Sequence, residues 1–81
     1  MPSKTVAVGS TVGLHARPAA LIAERAGTLG STVTINGVNA GSALMLMTLG
    51  AKHGHEVEVA GDDAADVDVI AEMVAADLDA D

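Results

Sequence analysis

The chain has 81 residues, of which 49% are hydrophobic and none is aromatic or cysteine, and its formal net charge is −7. An acidic chain without aromatic rings lacks the groups that neutralise phosphates and stack on bases, and anionic lipid headgroups repel it, so nucleic acid and direct membrane binding are excluded as functions. The absence of cysteine excludes disulfides and thiolate metal sites, and the length predicts a single domain over residues 1–81.

The first third of the sequence predicts a strand, a loop and a helix. Residues Lys4–Val8 alternate polar and apolar side chains, as half-buried strands do. A glycine-bearing loop follows over residues 9–13. Residues Ala16–Ala26 then place apolar side chains along one helical face, and Gly27 stands in the C′ position where glycine commonly ends a helix.

The next segment predicts a β-hairpin. Residues Thr32–Ile35 alternate polar and apolar side chains, and Asn36 and Gly37 come directly after them. Asn-Gly is the strongest two-residue hairpin signal, because both central positions of a type I′ turn need a positive φ. Residues Val38–Ala40 are therefore predicted to form a short returning strand.

A second helix and a fourth strand follow. Ser42 is a suitable N-cap for a helix over residues 43–49, and Gly50 stands where that helix should end. Residues Glu56–Val59 show the cleanest alternation of charged and apolar side chains in the chain. They predict a strand with one buried and one solvated face.

The last segment predicts a third helix, with Asp62 or Asp63 as its N-cap. Acidic residues near its far end, Asp77, Asp79 and Asp81, oppose the helix dipole and predict fraying there. Its apolar stripe comprises Val67, Ile70, Ala71, Val74 and Leu78.

The order of predicted elements is βαββαβα, and each strand has one apolar and one polar face. This pattern is typical of an α+β protein in which helices cover one face of a sheet while the other face meets water. We therefore predict an open-faced sandwich of two layers, in which the hairpin makes at least one strand pair antiparallel.

The segment Gly13–Pro18 carries the strongest functional signal. Pro18 lacks a backbone N–H and fits a first helical turn, so the helix begins at either Ala16 or Pro18. In both cases His15 lies at the positive end of a helix, beside backbone N–H groups without helical partners, such as those of Ala16 and Arg17. Such a position binds phosphate.

His15 and Arg17 together fit phosphoryl chemistry. A neutral imidazole is a nucleophile, and Arg17 offers a planar fork of donors to phosphate oxygens. No acid or second histidine lies close to His15 in sequence, which disfavours a hydrolytic site. The plainer alternative is that His15 only caps the helix and that Arg17 is solvated.

Three segments resemble those of a known family. The run Gly13–Ala19, which reads Gly-Leu-His-Ala-Arg-Pro-Ala, resembles the active-site signature of the HPr phosphocarriers of the bacterial sugar phosphotransferase system. The run Ser42–Ala51 resembles the family's segment with a regulatory serine and the second helix, and Gly54–Val57 resembles its lead into the last strand. The resemblance covers nearly the whole chain, although Met45 stands where many relatives have glycine.

The resemblance implies a four-stranded antiparallel sheet with three helices on one face. It also implies a phosphocarrier and not an enzyme. His15 would accept a phosphoryl group on Nδ1 from phosphorylated enzyme I, the phosphoenolpyruvate-dependent kinase. It would donate that group to enzyme IIA domains of sugar permeases, and Arg17 would stabilise the phosphate.

Partners and regulation are further implications of the resemblance. The partner surface would comprise Ala20 on the first helix and Ala43, Leu44 and Met47 on the second. Ser42 becomes a candidate for regulatory phosphorylation by a serine kinase, reversed by a phosphorylase, with a plain N-cap as the alternative. The N-terminal residues lack a signal-peptide pattern, so we expect a cytoplasmic protein. We also expect that the protein is a monomer and that it needs no cofactor.

Three alternatives stay open at this point. The first is a regulatory phosphoprotein that acts through Ser42. The second is a paralogous carrier for fructose uptake or nitrogen signalling, and the third is a small metal-handling domain. The last rests only on His53 and His55, which flank Gly54 without a third ligand nearby. A solvated turn is the simpler interpretation of that tripeptide, and we expect no metal site.

Overall fold

The computed structural model describes residues 2–11 and 13–77. The elements are β1 (Ser3–Ala7), α1 (Ala16–Ala26), β2 (Val33–Ile35), β3 (Val38–Asn39), α2 (Ala43–Thr48), β4 (Glu56–Gly61) and α3 (Ala64–Ala75). Their order confirms the predicted βαββαβα arrangement.

The four strands form one antiparallel sheet in the order β1-β4-β2-β3. The cleanest predicted strand, β4, lies inside the sheet, where Val57 and Val59 are buried and Glu56 and Glu58 are exposed. The buried valines face the helices and the glutamates face solvent. The predicted open-faced α+β sandwich, with four antiparallel strands and three helices, is confirmed.

The hairpin between β2 and β3 has the predicted turn. Asn36 has a φ of 51° and Gly37 a φ of 81°, as a type I′ turn requires. Asn36 also ties the hairpin to β4, because the Glu58 N–H donates to its Oδ1 at 2.8 Å and its own N–H donates to the Glu58 carbonyl at 2.8 Å. Two hydrogen bonds to Glu58 therefore hold the turn against β4.

The core lies between the sheet and the helices and is entirely aliphatic. Each helix contributes at least one fully buried large side chain to it, such as Ile22 from α1, Leu46 from α2 and Ile70 from α3. Burial of this apolar surface is the main favourable term in the folding of so small a chain. It also anchors α1 and α2, which position the residues described below.

The helix ends differ in detail from the predictions. Gly27 has a φ of −65° and is the C-cap itself, so it does not end α1 in the left-handed conformation. The chain continues there in a turn, in which the Thr28 N–H donates to the Arg25 carbonyl. Gly50, after α2, does adopt the left-handed conformation with a φ of 63°.

The third helix begins after Asp63, whose carboxylate accepts from the Ala65 N–H at 2.8 Å, so Asp63 and not Asp62 is the N-cap. The helix ends at Ala75. The predicted positions Leu78, Asp79 and Asp81 lie outside the described residues. Within residues 2–11 and 13–77, no helix combines the length and apolar composition needed to cross a bilayer.

Candidate functional site

His15 is the N-cap of α1, and its ring bonds to the helix that it begins. Its backbone is extended, with φ −87° and ψ −170°, and its Nδ1 accepts from the Ala16 N–H at 3.1 Å. An accepting Nδ1 assigns the proton of a neutral ring to Nε2. The residue is exposed, and Nδ1 lies at the positive end of the helix with its single in-plane lone pair engaged by the Ala16 N–H.

The first turn of α1 decides between the two predicted helix starts. The Ala19 N–H donates to the His15 carbonyl at 2.9 Å, and the helix begins at Ala16. Pro18 is therefore the third helical residue, where its missing N–H leaves no bond unmade. Pro18, Ala19 and Ile22 are buried and fix the start of the helix against the core.

Arg17 lies in the same turn with its side chain exposed. Among the described residues, its guanidinium has neither a hydrogen-bond nor an ion-pair partner. Two other cations are engaged elsewhere: Lys4 lies 3.6 Å from Asp68, and Arg25 bonds to Thr28. Arg17 is thus a cation close to His15 that is available to an incoming anion.

A tightly packed loop delivers His15 to its position. Gly13 has a φ of 74°, and a Cβ there would lie 2.5 Å from the Ala51 carbonyl oxygen and 2.9 Å from the Lys52 Cα. Leu14 is buried, and its N–H donates to the same Ala51 carbonyl at 2.9 Å. Because only glycine combines this conformation with this close approach, Gly13 fixes the loop against the segment that precedes β4.

His15 opens onto a groove of about 520 Å³ between the loop that precedes α1 and the segment that leads from α2 to β4. The residues that line this groove are Thr11, Leu14, His15, Met47, Gly50, Ala51, Lys52 and His53. No acidic side chain is among the described lining residues, although the chain carries eleven acids. The described lining of the groove therefore holds no carboxylate that would repel a phosphoryl group.

The presence of His53 and Lys52 beside this groove was not predicted. His53 Nδ1 lies 3.3 Å from the Ser10 carbonyl oxygen, which holds the ring against the loop that leads to His15. Sequence interpretation treated His53 as part of a solvated turn. No local sequence pattern predicts that His53 lies beside the groove. Its position depends on the packing of His53 against Ser10, which is 43 positions away in the chain.

The two histidines of the His53-Gly54-His55 tripeptide have different surroundings. His55 Nδ1 accepts from the Lys52 N–H at 3.2 Å, and His55 does not line the groove. Gly54 makes the turn between them with a φ of 85°. Within the described part of the chain, no cluster of three or more His, Asp or Glu side chains is arranged to hold a metal ion.

Ser42 occupies the predicted N-cap of α2. Its Oγ accepts from the Met45 N–H at 3.3 Å, and the residue is half-buried. The hydroxyl thus satisfies one of the unpaired donors of the helix. The structure places it at the start of a different helix from His15.

The predicted partner residues differ in how much they expose. Ala20 is exposed, Leu44 and Met47 are 69% and 37% exposed, and Ala43 is only partly exposed because it packs against the core. Two further large apolar side chains were missed by the prediction. Leu21 on α1 is 37% exposed and Met45 on α2 is 46% exposed.

Comparison with known proteins agrees with these features. A family model described as the PTS HPr component phosphorylation site matches residues 2–76. The chain belongs to the HPr family. The phosphocarrier protein HPr of Streptomyces coelicolor is 42% identical to it over 67 residues, which cover 76% of this chain and 72% of the relative.

Solved HPr structures share the fold as well. HPr from Thermoanaerobacter tengcongensis matches with a TM-score of 0.81 and 27% identity, and the match covers 91% of each chain. HPr from Bacillus anthracis matches with a TM-score of 0.81 and 29% identity, over 89% of this chain and 94% of the other. The predicted phosphocarrier function, in a phosphotransferase system and not as an enzyme, is confirmed by this membership.

Proposed function

We propose that His15 accepts the phosphoryl group on Nδ1 and later donates it. The observation that carries this proposal is the hydrogen bond from the Ala16 N–H to Nδ1, because it orients Nδ1 at the positive end of α1 on an exposed residue. The bond is given up when Nδ1 reacts, which frees its lone pair. In the uptake step Nδ1 attacks the phosphorus of the donor. The new P–N bond forms as the bond between phosphorus and the carrier atom of the donor breaks, and that carrier atom keeps the electron pair.

The same surroundings stabilise the phosphorylated ring. A phosphoryl group on Nδ1 brings its oxygens close to the backbone N–H groups of Ala16 and Arg17, which can donate to it. The Arg17 guanidinium supplies a charge-assisted donor from the side chain. These interactions stabilise the anionic product without trapping it, since they lie at the exposed surface and a partner can replace them.

The donor in this proposal is phosphorylated enzyme I, and the acceptors are enzyme IIA domains. Both dock in turn on the surface that comprises Ala20, Ala43, Leu44 and Met47, of which Met47 lines the groove of His15. The overall charge of −7 leaves little scope for cationic steering, so apolar contact dominates docking. Residues 1–81 then act as one cytoplasmic, monomeric domain that needs no cofactor.

The test is incubation with phosphoenolpyruvate and enzyme I, followed by intact mass measurement. We expect a gain of one phosphoryl group that is labile in acid and stable in base, as a phosphohistidine is. His15→Ala should show no gain. His53→Ala and His55→Ala are the matched controls and should both be phosphorylated, since neither carries the phosphoryl group.

Two outcomes of this experiment would overturn the proposal. Uptake by His15→Ala equal to that of the unmodified chain would overturn the assignment of His15. The absence of uptake by every variant, with an enzyme I preparation that phosphorylates another HPr, would overturn the proposed donor.

Phosphorylation of Ser42 by a serine kinase is a second candidate, favoured by the position of Ser42 at the start of α2. A phosphoserine at an N-cap adds negative charge at the positive end of a helix, which the helix tolerates. Exposure to a bacterial serine kinase would then leave an acid-stable phosphate. That phosphate should persist in His15→Ala and be absent from Ser42→Ala.

A further inference from the structure

The sulfur chemistry of this chain is confined to methionine. The sequence contains four methionines and no cysteine, tryptophan or tyrosine. The thioether is therefore the group that peroxides oxidise most readily here. Among the described residues, Met45 and Met47 are 46% and 37% exposed, whereas Met73 is partly buried against the core.

Met45 and Met47 lie on different sides of α2. Successive helical residues are separated by about 100°, so two residues either side of buried Leu46 point away from each other around the helix axis. Met47 lines the groove that contains His15, and Met45 does not. The two thioethers are similar in exposure, but only one is next to the phosphoryl site.

We propose that Met47 is a peroxide-sensitive modification site whose oxidation slows phosphoryl transfer through His15. In the chemical step one oxygen atom passes from hydrogen peroxide to the Met47 sulfur. The O–O bond breaks, an S–O bond forms, and the peroxide leaves as water after taking two electrons from sulfur. The product, methionine sulfoxide, can be reduced again by methionine sulfoxide reductase.

The expected effect follows from the position of Met47. A sulfoxide is polar and carries a strong hydrogen-bond acceptor, so it replaces an apolar contact beside His15 by a group that must be desolvated. Met47 is not part of the buried core, which is formed on α2 by Leu46. Oxidation therefore impairs docking of the phosphoryl donor and leaves the fold intact.

The experiment has two parts, and the first does not depend on the proposed function. The chain is treated with hydrogen peroxide, and sulfoxide at each methionine is mapped by peptide mass spectrometry. Met45 and Met47, the more exposed pair, should both oxidise faster than Met73. Oxidation of Met47 no faster than that of Met73 would overturn the proposal.

The second part rests on the proposed function and measures the rate of phosphoryl uptake from enzyme I after catalase has removed the peroxide. The ratio of treated to untreated rate should fall roughly ten-fold, which corresponds to about 1.4 kcal/mol. In Met47→Leu the ratio should stay near unity whatever its untreated rate. In Met45→Leu, the matched control, the ratio should fall as in the unmodified chain. Reductase treatment should restore the rate.

The outcomes separate the two proposals. No uptake before peroxide treatment contradicts the proposed function and leaves the oxidation map to decide the chemical claim. Normal uptake with an equal peroxide effect in Met47→Leu assigns the loss to another residue and overturns this inference. Protection by Met45→Leu instead of Met47→Leu overturns it too. Circular dichroism of the oxidised chain should match that of the untreated chain.

Discussion

At the starts of α1 and α2, a capping side chain accepts a hydrogen bond from a backbone N–H, but the two capping side chains differ. His15 Nδ1 accepts from the Ala16 N–H at 3.1 Å, and Ser42 Oγ accepts from the Met45 N–H at 3.3 Å. Both helices therefore present a positive end to their first residue. An imidazole lone pair is nucleophilic, whereas a serine hydroxyl needs a base to activate it. The capping side chain, and not the helix terminus, separates the chemical site from the structural one.

The surroundings of the two caps differ as well. His15 is exposed and lines the groove near Lys52 and His53, while Ser42 is half-buried and does not line it. The loop before His15 is held by Gly13. The phosphoryl site thus combines a nucleophilic cap, a groove and nearby cations, whereas the start of α2 has a hydroxyl cap that does not line the groove.

The largest effect should come from His15→Asn, which keeps a capping acceptor but removes the nucleophile. Uptake of phosphate from enzyme I should be lost completely while thermal stability stays close to that of the unmodified chain. The equivalent change at the other cap, Ser42→Asn, should retain uptake. Intact mass and thermal unfolding check both variants, and a phosphorylated His15→Asn would contradict the assignment of His15 as the nucleophile.

Arg17→Ala should have the next largest effect. Loss of charge-assisted bonds of about 1.5–3 kcal/mol to the phosphoryl oxygens should slow uptake roughly ten- to hundred-fold. Arg17→Lys should recover only part of the rate, because an ammonium lacks the planar fork. Rapid-quench kinetics measure both rates. Arg25→Ala, at the far end of α1, is the control, and an equal loss there would refute a local role.

Gly13→Ala should destabilise the fold and displace His15. The added Cβ meets backbone atoms of Ala51 and Lys52, and the φ of 74° is strained for alanine, so we expect a loss of about 2–4 kcal/mol. Gly50→Ala, with a φ of 63° but open space around it, should lose only about 1–2 kcal/mol. Urea unfolding compares them, and equal losses would show that packing around Gly13 adds nothing.

Ser42→Ala should have the smallest effect. Removal of the cap should lower the free energy of unfolding by about 1 kcal/mol and leave the uptake rate unchanged. Ser42→Asp should keep the stability, because aspartate is an equally good N-cap. Denaturant unfolding and uptake kinetics on the same samples test this. A large fall in uptake with Ser42→Ala would mean that the second cap also serves the phosphoryl site.

Much of this fold was predictable because its signals are local. Alternation in β4, the Asn36-Gly37 turn and the Ser42 cap each depend on a few neighbouring residues, and the structure agrees with all three. The prediction for Gly27 was wrong in detail. A glycine after a helix permits the left-handed conformation without requiring it, and the chain continues instead in a right-handed turn.

The candidate site also has features that the sequence predicted and features that it did not. The position of His15 before a helix and of Arg17 in its first turn followed from the sequence, because a helix start has a local pattern. The exposure of Leu21 and Met45 did not follow, since apolar residues on short helices are core or surface depending on what packs against them.

The sequence by itself determined the elements, their order, and which histidine begins a helix, because periodicity, turns and caps act between residues close along the chain. Only the tertiary structure decided the strand order β1-β4-β2-β3 and the neighbours of His15 in its groove. The loop at Ser10 and the turn at His53 are 43 positions apart. They meet because antiparallel pairing of β1 with β4 brings their connecting segments to one end of the sheet.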